Sequence, residues 1–187
     1  MNGDTLTSLE NRILLQLLEP GKNKTEVARV LGYNHPGRVN KQINRLKKRG
    51  LITVASTYTV KGNKVQRWRL TEDGILQTII LGVSFNEISP EYQDIYKTVK
   101  AWIIIDQGLT RELGSTWKAG KGKFFQQEAA IIQASRKFGD TRLELTLSGF
   151  LADFLKNSLG ISNSNIQHLA KAIKKDPGLR HLLSPYL

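Results

Sequence analysis

Apolar residues recur at helical spacing through the first fifty positions: Ile13, Leu14, Leu17 and Leu18, then Val27, Ala28 and Leu31, then Val39, Ile43 and Leu46. Each run carries its own start and stop. Thr7-Ser8-Leu9-Glu10 has the capping-box form, so a first helix is predicted from about Ser8 to Glu19, halted by Pro20 and Gly21. Thr25 is expected to cap a second, short helix that ends at Gly32. Pro36 has no amide hydrogen to lose at a first helical position, so a third helix should start there and continue to Arg49, with Gly50 as its stop. Two helices joined by the turn Tyr33-Asn34-His35 make a helix-turn-helix.

After Gly50 the period switches to two. Ile52, Val54, Ser56, Tyr58 and Val60 fall on one side and Thr53, Ala55, Thr57 and Thr59 on the other, which predicts a strand. Lys61-Gly62-Asn63-Lys64 supplies a turn, and a return strand from Val65 to Leu70 sets Trp68 and Leu70 against a core, with Arg67 and Arg69 outward. Trp68 is expected to anchor the hairpin.

From Ile75 onward the periodicity is helical. Ser89-Pro90 should open a helix bearing Tyr92, Ile95, Tyr96, Val99 and Trp102 or Ile103 on one stripe, and Phe124 to Phe138 predicts another. Thr141 to Leu159 fits a helix over its full length and ends at Gly160; Ser164 is expected to cap one more, ahead of a final short segment after Asp176-Pro177-Gly178. Between these lie residues 115–125, rich in Gly and Lys and ringed by aromatics, read as an exposed flexible loop with a second nucleic-acid or partner contact as the alternative. The fold class is thus mostly α with a small β-hairpin. One domain is expected over residues 1–80 and an all-α domain over residues 85–187.

Charge sharpens this picture. The 187 residues carry 28 Lys and Arg against 16 Asp and Glu, a net of +12 and a pI near 10.0. Residues 22–69 hold thirteen of those cations against Glu26 alone, and the rest of the chain is balanced. An excess concentrated in the helix-turn-helix and hairpin describes an electropositive face for a polyanion, nucleic acid ahead of an anionic membrane. With no cysteine, disulfides, thiolate metal sites and cysteine nucleophiles are excluded, and a reducing, cytoplasmic setting is expected. No basic leader with an apolar stretch begins the chain and no run of about 18 apolar residues occurs.

The third helix turns its apolar stripe inward, and its opposite face carries Arg38, Lys41, Asn44, Arg45 and Lys48 with no acid. Arg, Lys and Asn are the side chains whose donors match base edges in the major groove. Arg38, Lys41 and Arg45 are the base-edge candidates, with Asn44 next; Lys47, Lys48 and Arg49 at the far end are expected at phosphates. His35 is placed either at a phosphate or as a helix cap.

The order helix, helix, helix, hairpin resembles the winged helix-turn-helix family of DNA-binding domains, of the MarR-, ArsR- and PadR-like kind. The resemblance rests on Thr25-Glu26-Val27-Ala28-Arg29-Val30-Leu31-Gly32, on Val39, Ile43, Leu46, Gly50, Leu51 and Ile52, and on Arg69-Leu70-Thr71-Glu72-Asp73-Gly74, and covers about residues 7–74. It implies double-stranded DNA as partner, the third helix in the major groove, and a wing whose Lys61, Asn63, Lys64 and Arg67 lie along the backbone or enter the minor groove. A nucleoid-associated regulator of transcription is the expected use, its helical second half serving dimerisation, a partner or effector binding, with a homodimer expected. A replication, partition or chromatin-associated protein that assembles on DNA is the alternative. The second half resembles no family.

Enzymatic readings find no support in the motifs. His35, His168 and His181 lack metal-ligand spacing, and neither Gly-x-Ser-x-Gly nor a dinucleotide glycine fingerprint is present. Lys121 and Lys123 each lack the upstream Gly and the following Ser or Thr of a phosphate-binding loop. No catalytic residue, metal or cofactor is expected.

Overall fold

The computed structural model describes residues 5–138, 154–165 and 167. The chain divides into two compact units, residues 1–92 and 93–187. The first is a winged helix-turn-helix, built in the order α1 (Ser8–Gln16), β1 (Lys22–Asn23), α2 (Lys24–Val30), α3 (Gly37–Lys48), β2 (Ile52–Val60), β3 (Asn63–Leu70) and α4 (Glu72–Ile80).

Thr7 caps α1 as its sequence predicts: Thr7 Oγ1 accepts from the Glu10 amide at 3.2 Å, and Glu10 Oε2 accepts from the Thr7 amide at 2.8 Å. The helix stops at Gln16, three residues short of Glu19, because the residue before Pro20 is driven out of the helical region and Gly21 then turns with φ +96°. That turn sends the Gly21 amide to the Trp68 carbonyl at 2.9 Å and pairs Lys22 and Asn23 with β3. The hairpin therefore becomes a three-stranded antiparallel sheet of order β1-β3-β2. The cap of α2 is correspondingly Asn23 and not Thr25: Asn23 Oδ1 accepts from the amides of Thr25 and Glu26, and the Glu26 carboxylate reaches back to the Asn23 amide at 2.7 Å. In α3, Pro36 stands just outside as the cap residue, and Gly50 follows the helix with φ +72°.

In the wing the turn is two residues long. Lys61 and Gly62 both take positive φ, 48° and 79°, so Val60 pairs directly with Asn63 and the return strand begins two residues earlier than Val65. A bulge at Ala55 shifts the register between Val54↔Trp68 and Ser56↔Arg67. Trp68 and Leu70 are buried as expected and join Ile13, Leu14, Leu17, Val27, Val39, Ile43, Leu46, Ile52, Ile75 and Ile79 in one core.

The described part of the second unit is helical. The single helix expected to run from Ser89-Pro90 is two: α5 (Glu91–Ile95) crosses the division, and α6 (Lys97–Phe138) follows after a break at Tyr96. Within α6, Gly114 leaves the helical region at φ 54° and ψ −123°, so two helical arms meet there. Residues 115–125, expected as a loop, are the opening of the second arm. Trp117, Phe124 and Phe125 recur with the helix turn and are buried, while Lys118, Gly122 and Lys123 occupy the exposed side. Their rings pack on one another and on neighbours: Trp102 with Phe125 at 5.6 Å, Trp117 with Phe124 at 5.4 Å, and Phe124 with Phe154 at 5.2 Å between centroids. Asp106 on the first arm accepts from Trp117 Nε1 and from Lys121 Nζ, each at 2.8 Å, tying the arms together. Of the helix expected over Thr141 to Leu159, residues 154–159 are helical and end at Gly160, φ +66°. Residues 163–165 are helical too, with Ser162 Oγ in place of Ser164 accepting from the Asn165 amide. The remainder of that helix and the final segment lie outside the described residues.

Candidate nucleic-acid interface

By unit, the charge excess is shared: residues 1–92 and residues 93–187 each hold 14 Lys and Arg and 8 Asp and Glu. What distinguishes the first unit is arrangement. Thirteen of its fourteen cations fall between the start of β1 and the end of β3, and the single acid in that stretch, Glu26, is spent on the α2 cap.

Val39, Ile43 and Leu46 bury one stripe of α3, so its other face is turned away from the core. Arg38, Lys41, Asn44, Arg45, Lys48 and Arg49 are all exposed, as are Lys61, Asn63, Lys64 and Arg67 on the wing. Every one of these DNA-contact candidates is thus at the surface of one unit, on α3 and its C-terminal cap or on the hairpin and its tip. Their immediate partners differ. Arg45 Nε stands 3.6 Å from Oε1 of the wholly buried Glu10 on α1. Arg67 lies over the Tyr58 ring, its guanidinium carbon 5.0 Å from the centroid. Lys47, expected at a phosphate, sets its Nζ 6.0 Å over the Trp68 ring.

Two residues that pattern reading passed over shape this surface. Glu10 was legible as a cap but not as the partner of Arg45, since capping uses only Oε2. Tyr58 accepts a hydrogen bond from Asn23 Nδ2 at 3.1 Å, so the residue that caps α2 also steadies the wing under Arg67. Asparagine three residues before Glu26 was the signal available for that cap.

His35 is exposed in the turn before α3, whereas His168 and His181 lie outside the described residues. Among the described residues no three His, Asp or Glu side chains gather as a metal site would require, and no helix is long and apolar enough to cross a membrane.

The first unit is built as a winged helix-turn-helix, and the chain is similar to solved structures of one protein. The zinc-responsive MarR family member ZitR of Lactococcus lactis matches 58% of this chain and 75% of its own, at 23% identity and a TM-score of 0.38. Two mutant forms of ZitR match at 24% and 23% identity, over 50% and 51% of this chain, with TM-scores of 0.35 and 0.36. The chain spans 63% of the length of each of those two. No family model and no curated protein sequence matches the chain.

Proposed function

We propose that this protein binds double-stranded DNA and acts as a sequence-specific regulator of transcription. The observation that carries the reading is the outward face of α3, where Arg38, Lys41, Asn44, Arg45 and Lys48 are exposed together with no acid among them. A helix about 10 to 12 Å across fits the major groove, and this set of side chains supplies the forked donors for guanine and the amide for adenine. The wing, with Lys61, Asn63, Lys64 and Arg67, follows the adjoining backbone or enters the minor groove. Lys48 and Arg49 serve phosphates. Self-association through residues 93–187 would present two α3 helices to half-sites about one helical turn apart. Nothing in this reading requires a catalytic residue or a cofactor, and it places the protein in the cytoplasm with the nucleoid.

The test is titration of the full chain with duplex DNA across a range of salt. Tight binding at low salt that falls steeply as salt rises, with a log–log slope of about 0.9 per phosphate contacted, is expected. A chain that leaves duplex free at ~50 mM salt overturns the proposal. Binding that saturates with DNA length and ignores sequence would move it to the assembly role.

A further inference from the structure

The Glu10 carboxylate is fully buried and uses its oxygens unequally. Oε2 accepts from the Thr7 amide at 2.8 Å and from Thr7 Oγ1 at 2.9 Å, closing the α1 cap. Oε1 is buried and receives no hydrogen bond; its counter-charge is Arg45, with Nε at 3.6 Å. Three residues earlier on α3, Gln42 also keeps a buried Oε1 without a donor. Of α3, it is Arg45 that meets the Glu10 carboxylate of α1. The Arg45 side chain nevertheless remains 45% exposed.

A guanidinium is a rigid fork of five donors, one on Nε and four on the terminal nitrogens. We propose that Glu10 is a positioning residue for Arg45: the buried carboxylate holds the Nε edge against α1 so that the terminal pair is presented outward to a base edge. Two consequences follow from the chemistry. An unheld arginine loses much of its rotamer freedom when it docks, and a side chain already fixed at one edge loses less, so correct pairing with a guanine gains. The carboxylate also offsets the cation, so Arg45 adds less to attraction by arbitrary phosphates than Lys48 or Lys64 does. Glu10 thereby converts one cation of the basic face from affinity toward selectivity. This rests on the DNA-binding reading above.

The experiment compares the full-length wild type, Glu10→Gln and Arg45→Lys on a duplex selected from a random pool and on random duplex. Glutamine retains the capping-box geometry at the third helical position, so Glu10→Gln removes the charge that faces Arg45 and spares the α1 cap. Arg45→Lys keeps the charge of α3 and removes the fork. Each variant is expected to lose roughly tenfold in preference for the selected duplex, within the range of one bidentate base contact. Affinity for random duplex should be unchanged or slightly higher in Glu10→Gln, which a merely misfolded variant would not show. Adding Glu10→Gln to Arg45→Lys should cost nothing further. If Arg45→Lys loses preference and Glu10→Gln keeps it, the positioning role is overturned while the DNA reading stands. If the wild type binds every duplex equally, the role is overturned as well. A wild type that binds no duplex at all overturns the DNA reading itself, and this inference with it.

Discussion

Tyr92 donates its phenolic hydrogen to the Leu17 carbonyl at 2.6 Å, across 75 positions of sequence. The same oxygen accepts from the Leu70 amide at 2.9 Å, so one buried phenol joins the end of α1 to the last residue of β3. Tyr92→Phe keeps the ring and removes both of these hydrogen bonds. A loss of about 2 kcal/mol is expected, the usual cost of leaving buried polar groups unmade. Hydrogen exchange at the Leu70 amide should quicken in step with a lower unfolding midpoint; protection equal to wild type would show that the phenol is dispensable.

Glu128 is buried in the second unit near Phe124 and Phe125, and burial raises its pKa from 4.5 to about 7. The folded state therefore holds this proton more tightly than the unfolded chain. Below pH 4.5 both states are protonated and no penalty acts; between that value and about 7 the unfolded chain ionises first, and stability falls as pH rises. Above about 7 the penalty is constant, on the order of 3 kcal/mol. Glu128→Gln should raise stability at pH 8 by an amount of that order and flatten the slope between pH 5 and 7. Urea titrations of both proteins at several pH values check this, and parallel curves would rule it out.

Gly74 in α4 is buried, and a Cβ there would overlap the Leu51 carbonyl oxygen and stand 3.3 Å from Leu70 Cβ. Gly74→Ala must push α4 off the sheet, so a cost of about 1 to 3 kcal/mol is expected. Gly37 offers the contrast: it opens α3 with ordinary φ and nothing within 4 Å of an added Cβ. Gly37→Ala should be neutral or stabilising by up to about 1 kcal/mol. Thermal melts of the two variants should move in opposite senses.

The parts of the fold that were legible in the sequence are those set by local chemistry. The Thr7 to Glu10 cap, the buried stripe of Val39, Ile43 and Leu46, and the shared face of Trp68 and Leu70 follow from spacing alone, and all three are present. The features that were missed depend on distant partners. A two-residue strand such as Lys22–Asn23 has no periodicity of its own and exists because Trp68 and Arg67 offer an edge. Residues 115–125 look like a loop by their Gly and Lys content, yet Trp117, Phe124 and Phe125 find aromatic neighbours that outweigh the low helix propensity of glycine. Gly120 even suits that packing, since an added Cβ would meet Leu159 Cδ2 at 2.5 Å. At the candidate interface the exposed cations were legible one by one. The Glu10 to Arg45 contact was not, because it joins residues 35 positions apart through the tertiary packing of α1 on α3.

The wing and α3 should fail differently when mutated. Lys64 is exposed in β3 just beyond the Lys61-Gly62 turn, where a hairpin tip meets sugar and phosphate before it meets bases. Lys64→Ala should weaken selected and random duplexes about equally and lower the salt slope by about one. Arg38 is exposed in the first turn of α3, the end that would reach deepest toward base edges if α3 enters the major groove as proposed. Arg38→Ala should cost ~1 to 3 kcal/mol on the selected duplex and much less on random DNA. Competition titrations at two salt concentrations separate the two signatures, because a phosphate contact changes the slope while a base contact changes the ratio. If both variants lose selected and random duplexes alike, α3 only tracks the backbone, and the protein coats DNA instead of reading it.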